Sequence, residues 1–350
     1  MTLILLTGCL FVFFGMSTVE AAQIHRVEPG ESFYRIAAKY ETSPDELKQL
    51  NRFLENPERI FVGQVLVVPK PAATPDESLQ EAAPASDEAS QPGDDESPPT
   101  AEQLPITEQP GATDHPPVQE EAPVISPTKP PLTVGQLLRN YRSSFLHKGS
   151  SEVKQVALTF DDGPDVRYTP VILDILREHR VPATFFLIGS QIEHHPAVVE
   201  RILAEGHVIA NHSWSHPNFT QLAPPDVRRE IQRTETAIFD LTGKRTALFR
   251  PPYGKLTEEN VQTLVSLGYK QIYWSTDSQD WDAKDPDQLL INILPDIGRG
   301  SIVVMHSAGG RNQNLDATVA ALPDLIHTLR VQGYRFVTVD ELLGIPAYRN

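Results

Sequence analysis

Cysteine is almost absent: the only one among 350 residues is Cys9, inside an apolar N-terminal run. Disulfide frameworks, thiolate metal sites and cysteine nucleophiles are thereby excluded from the remainder of the chain. Without cross-links, the folded parts must rest on burial, which some 200 residues can supply (roughly, by domain-size scaling). A basic surplus is also missing, since 30 Lys plus Arg face 46 Asp plus Glu. That balance disfavours nucleic acid as a partner. Long apolar runs are few. The strongest, residues 3–16, is too short for a comfortable membrane span. It matches a secretory leader over residues 1–21 with Val19-Glu20-Ala21 as the small-residue cleavage site. No Lys or Arg precedes this run, which is irregular for a leader. Leu6-Thr7-Gly8-Cys9 also resembles a lipoprotein box, but most of the apolar run would then stay on the mature protein. The mature chain is expected to be exported, with no transmembrane anchor.

Aromatic residues are missing altogether from positions 71–131, which hold 14 Pro and 13 Asp plus Glu against one Lys. Such a segment cannot bury enough surface to fold, and its prolines and like charges keep it extended. It carries about −12 of the formal net charge of −16, so the acidity says little about the folded surfaces. We assign 70–131 as a linker. It separates a small unit, 24–69, from a larger one, 150–345, which is entered through 132–149. Within that entry, Val134, Leu137, Leu138, Tyr141 and Phe145 predict a short amphipathic helix over Leu132–Leu146.

In the larger unit, strand-like runs near 154–160, 183–188, 207–210, 246–249, 270–275, 301–306 and 335–339 alternate with helix-like stretches. This repeated βα order predicts an α/β fold with a parallel sheet or barrel. Gly206, Gly243, Gly268, Gly298 and Gly333 each follow a helix-like stretch, as left-handed caps do.

Five motifs end strand-like runs, where barrel enzymes place their chemistry. After Val156–Phe160 come Asp161 and Asp162, closed off by Gly163-Pro164. Alone, an Asp pair there is more often a solvated turn. His212 and His216 are spaced i, i+4, so one helical turn would bring both imidazoles to one side. With one Asp they complete a two-His-one-carboxylate set that leaves room for water and substrate. Adjacent carboxylates can divide the labour, Asp162 to a metal and Asp161 to a catalytic base. Arg250-Pro251-Pro252-Tyr253-Gly254 supplies a planar guanidinium suited to pairing with Asp161, and the next free backbone N–H after the prolines, that of Tyr253, could face an oxyanion. Asp277 to Trp281 offers Asp280 to orient a histidine and Trp281 to wall a cleft. Finally, His306 ends Ile302–Met305, a candidate general acid because imidazole titrates near working pH.

In this order the five motifs resemble the polysaccharide deacetylases, carbohydrate esterase family four, with their NodB-homology domain. The resemblance covers about residues 150–343. It implies a distorted (β/α) barrel with about seven strands and metal-assisted hydrolysis of an N-acetyl group on a sugar. By the same resemblance, Asp161 is the base, Asp162, His212 and His216 are ligands of a divalent metal, Arg250 is the partner of the base, and His306 is the acid tuned by Asp280. Zinc is the expected metal, with cobalt and nickel also suited to this donor set. Pro252, Trp281 and Val304 are expected to line the substrate site. Val304 departs from the family, which usually has Leu there, and this widens the pocket expected for the acetyl methyl.

Residues 24–69 resemble a LysM module, a small βααβ domain that binds N-acetylglucosamine-containing chains in peptidoglycan or chitin. Its candidate contacts are Gly30, Glu31, Ser32, Phe33, Asn56, Pro57 and Ile60; Ile24, Val27, Ile36, Leu47, Leu50 and Leu66 are expected as core. Together the two resemblances imply a secreted, extracellular or wall-associated enzyme acting on peptidoglycan, with no protein partner implied. Chitin oligosaccharide deacetylase, acetylxylan esterase and a catalytically retired wall-binding protein are the alternatives. On this reading the linker is a flexible tether that keeps the enzyme near an insoluble polymer.

Overall fold

The computed structural model describes residues 22–70, 132–309 and 314–349. The expected leader, and the expected linker beyond Lys70, lie outside the described residues. The N-terminal unit has the expected order: β1 (Ala22–Arg26), α1 (Phe33–Lys39), α2 (Pro44–Leu50) and β2 (Val65–Pro69). Local chemistry sets both helix starts. The Ser32 hydroxyl accepts from Arg35 N, while Ser43 and Glu46 form a reciprocal capping box with Pro44 at the first helical position. β1 and β2 pair antiparallel, Ala22 opposite Pro69. Val27, Ile36, Leu47 and Leu66 are buried as expected, but so is Phe33 at 1% exposure. As the first residue of α1, Phe33 turns into the core with Ile36, so it is not available as a glycan contact.

The chain resumes with α3 (Val134–Asn140) and β3 (Phe145–Leu146). The helix expected over Leu132–Leu146 therefore covers only half that span. Phe145 instead joins the sheet, its ring stacked 4.2 Å from that of Tyr273. There follow β4 (Gln155–Asp161), α4 (Tyr168–His179), β5 (Thr184–Leu187), α5 (Gly189–His194), α6 (Pro196–Ala204), β6 (Val208–Asn211) and α7 (Pro224–Thr242). Next come β7 (Arg245–Thr246), β8 (Leu248–Phe249), α8 (Glu258–Ser266), β9 (Lys270–Ile272), β10 (Thr276–Asp277) and α9 (Pro286–Ile293). β11 (Ser301–His306), α10 (Asp316–Val331), β12 (Arg335–Phe336), α11 (Val339–Leu343) and β13 (Tyr348–Arg349) complete the unit.

The main sheet runs β10-β11-β4-β5-β6-β8-β9-β3, with β12 also paired to β4. Its pairings are parallel. All seven expected strands are present; β10 and β3, two residues each, are additions. The sheet curls almost shut, because Lys148, just past β3, bridges Ser301 at the start of β11. At that seam Gly149 N donates to Gly300 O at 2.8 Å. Gly300 has a φ of 77°, and a Cβ there would lie 2.6 Å from Gly149 O, so only glycine fits. Four of the five expected cap glycines take positive φ; Gly298 does not, and Gly300 turns the chain instead. The arrangement is the distorted α/β barrel, with the helices outside and the C-terminal ends of the strands on one rim.

Candidate active site

Five strand ends open onto that rim. β4 ends on Asp161 and β11 on His306, while His212 follows β6, Arg250 follows β8, and Asp280 lies three residues beyond β10. Residues as far apart in the chain as Asp161 and His306 thus meet because parallel strands present all their C-termini to one side, the face barrels use for chemistry.

Asp162, His212 and His216 form the one candidate metal cluster among the described residues, each offering one atom within 4.8 Å of the others. His216 Nε2 lies 3.2 Å and His212 Nε2 3.4 Å from Asp162 Oδ1. Ligands about 2.0–2.1 Å from a tetrahedral ion stand about 3.3–3.4 Å apart, so the spacing fits. Asp162 Oδ1 is buried without a hydrogen-bond donor in place, a state that a carboxylate oxygen tolerates when a cation completes it. His212 Nδ1 lies 2.7 Å from Arg250 O. A carbonyl only accepts, so Nδ1 carries the proton and Nε2 keeps its lone pair for the cluster. Burial, together with neighbouring His212, pushes the His216 imidazole down, in the direction that favours the neutral form a metal ligand needs. Burial opposes ionisation of Asp162, but the neighbouring imidazoles of His212, His306 and His216 favour it and hold its carboxyl at about 2.

The His-x-x-x-His segment is not the helical turn expected. It is a loop after β6 in which Ser213 and His216 take positive φ, at 69° and 57°. Glu230 of α7 fixes the loop, accepting from Trp214 N, Ser215 N and Ser215 Oγ at 2.9, 2.9 and 3.0 Å. Asp162, Tyr253 and Gln279 share this left-handed geometry. Five of the seven non-glycine residues with positive φ among those described therefore lie in or beside the site, where strain of this kind gathers.

Arg250 is completely buried and donates from Nη1 to Asp161 Oδ1 at 2.7 Å and to Thr159 Oγ1 at 2.8 Å. Its Nε donates to Ile272 O, and its guanidinium carbon lies 4.1 Å over the Phe186 ring. The side chain has no freedom to leave Asp161. Desolvation pushes the guanidinium down and Asp161 opposes this. Oδ2 of Asp161 faces the candidate cluster, 3.9 Å from His212 Nε2.

Across the site, Asp280 Oδ1 lies 2.6 Å from His306 Nδ1, and Oδ2 accepts from His306 N at 2.8 Å and from Thr318 Oγ1 at 2.9 Å. This turns His306 Nε2 away from Asp280. Burial alone would push His306 down, but the charge and hydrogen bond of Asp280, with Asp162 and Asp161 behind, raise it to about 10. The acid form is favoured wherever pH lies below that value. Asp280→Asn removes the main raising partner, so the basic limb of the pH–rate profile is expected to fall by about 1–3 pH units. Steady-state rates across pH check this; an unmoved limb contradicts it.

Tyr253 and Trp281 are exposed at the mouth, 62% and 55%, with the Tyr253 ring 4.7 Å from that of His216. Pro252 and Val304 are buried. In the N-terminal unit, Gly30 and Asn56 are exposed, and Glu31, Ser32, Pro57 and Ile60 are half-buried. Thr159, Glu230 and Thr318 were not expected from the sequence. Thr159 alternates with Asp161 along β4 and so shares its face, a readable signal. Glu230 and Thr318 sit in helices with nothing local to mark them.

Residues 148–272 match the family model described as Polysaccharide deacetylase, and 25–69 match the LysM domain model. A peptidoglycan-N-acetylglucosamine deacetylase of Bacillus cereus is 39% identical over 199 residues, covering 57% of this chain and 72% of that protein. A peptidoglycan-N-acetylmuramic acid deacetylase of Bacillus subtilis is 32% identical over 214 residues, 60% of this chain and 78% of that one. Among solved structures, a peptidoglycan N-acetylglucosamine deacetylase in complex with an N-oxidanyl-benzamide aligns with a TM-score of 0.59 and 36% identity, covering 61% of this chain and 98% of that one.

Proposed function

The chain belongs to the polysaccharide deacetylase family, and from that premise we propose that it is an exported, metal-dependent enzyme removing N-acetyl groups from N-acetylglucosamine or N-acetylmuramic acid residues of peptidoglycan. The observation that carries this reading is the pairing of Asp161 with the buried Arg250 beside the Asp162, His212 and His216 cluster.

A divalent cation held by Asp162, His212 and His216, zinc first and cobalt or nickel as alternatives, would polarise the acetamide carbonyl and acidify a water molecule. Asp161 Oδ2, left free by Arg250, takes the proton of the water as its oxygen bonds to the carbonyl carbon. The backbone N–H of Tyr253 donates to the oxyanion that forms. When the carbon–nitrogen bond breaks, His306 Nε2 gives its proton to the nitrogen, leaving acetate and a free amine. Trp281 walls the cleft, and Pro252 and Val304 shape its floor. The LysM module, through Gly30, Glu31, Ser32, Asn56, Pro57 and Ile60, holds the glycan. Names of relatives that act on peptidoglycan, and the module itself, favour that polymer and a location outside the cell.

The test offers muropeptides, chitin oligomers and acetylated xylan side by side, with acetate measured and products mapped by mass spectrometry. Deacetylated muropeptides are expected. Preference for chitin oligomers would redefine the enzyme as a chitin oligosaccharide deacetylase, and preference for xylan as an acetylxylan esterase. No acetate from any substrate, with metal present, would leave a retired wall-binding protein, a reading the intact base, ligands and acid disfavour.

A further inference from the structure

β2 of the LysM module is buried on both faces: Val65, Leu66, Val67 and Val68 are each 0% exposed. Successive side chains of a strand point to opposite sides, so two separate surfaces must cover them. The module's own α1 and α2 supply one. The other comes from the barrel, whose α9 and α10 and the turn after α9 bring Leu289, Leu290, Leu294, Leu325 and Leu329 into one continuous core with the module. The module and the barrel also fall in one compact unit.

The polar contacts follow the same seam. Of two amides along β2, Val67 N donates to Asn51 Oδ1 within the module at 2.8 Å, whereas Val65 N donates to the α10 hydroxyl of Thr328 at 3.0 Å. Val65 N and Thr328 are both buried, so this is the acceptor a buried N–H requires. Gln332 Nε2 donates to Arg59 O and Gln64 Oε1, both at 2.8 Å. Arg26 reaches Asp324 at 2.6 Å and Asp287 at 3.5 Å, and Glu55 reaches Arg299 at 2.7 Å. Half-exposed pairs of this kind add little singly, but they fix register around an apolar contact.

We propose that the outer face of α9 and α10 is a docking surface for the chain's own LysM module, making the module a fixed part of the enzyme instead of an anchor swinging on its linker. Its groove then stands at a set offset from the catalytic cleft. A glycan chain gripped by the module meets the cleft at a defined position, a consequence that rests on the function proposed above. The linker supports the docking, because contact within one chain is favoured by the high effective concentration a linker imposes. Deletion of residues 23–131 is accordingly expected to lower turnover of soluble oligomers as well as of insoluble glycan, since it bares the apolar face of α9 and α10.

Amide exchange resolved by residue in the full chain tests the docking without any glycan, so its failure is distinguishable from failure of the substrate assignment. Val65 N–H is expected to be protected. In Thr328→Arg it should exchange about tenfold faster or more, and in Arg26→Glu, which sets a third carboxylate against Asp287 and Asp324, it should shift in the same direction by less, while Val67 N–H, held inside the module, stays unchanged. Thr328→Ser, which keeps the hydroxyl, should retain protection. Val65 exchanging as an unprotected amide in the wild-type chain, or unmoved in both disruptive variants, overturns the proposal.

Discussion

Asp161→Asn is expected to lower kcat on an acetylated glycan by about 10²–10⁴-fold, the span typical of a positioned general base, while metal content stays at the wild-type level. The change keeps shape and an oxygen for Arg250 Nη1 but removes the group that accepts the proton. Asp162, His212 and His216 are untouched, which is why metal is retained. Arg250 loses its counter-charge in a fully buried position, so stability should also fall, by up to about 3–5 kcal/mol where a buried pair is broken outright. The melting temperature therefore has to be measured with the rate. A folded, metal-loaded Asp161→Asn protein with near-normal turnover would remove Asp161 from the role of base.

His212→Ala is expected to lose both metal and turnover. Loss of a group that merely orients a ligand costs about 10–100-fold in affinity, and a ligand itself should cost at least as much. His212 is also the proposed ligand whose tautomer is fixed, through Nδ1 donating to Arg250 O. Metal analysis of the purified variant, beside acetate release with and without added zinc, checks the result. Wild-type metal content in His212→Ala would contradict the cluster as assigned. The two variants separate the halves of the site, since one removes chemistry with the metal in place and the other removes the metal.

Most of the site was legible because most of its groups stand at, or just past, the end of a strand. Asp161, His212, Arg250 and His306 each stand at the close of an apolar run, and a parallel sheet brings such positions together whatever their distance in the chain. Loop geometry was less legible. The i, i+4 spacing of His212 and His216 suggested a helix, yet the imidazoles converge through left-handed backbone at Ser213 and His216 held by Glu230. A carboxylate reaching across from another helix leaves no local pattern. Phe33 misled for a related reason, because a motif position says nothing about which way the first residue of a helix turns. The docked module was the largest gap. Its trace was present in the unbroken apolar run Val65-Leu66-Val67-Val68, which a strand covered on one face does not require.

The most direct test is acetate release from purified peptidoglycan by the wild-type chain as isolated, after exhaustive chelation, and after zinc is restored. Acetate in step with new free amines, abolished by chelation and recovered with zinc, is the predicted result. Undiminished release from protein verified to be free of metal would contradict the account.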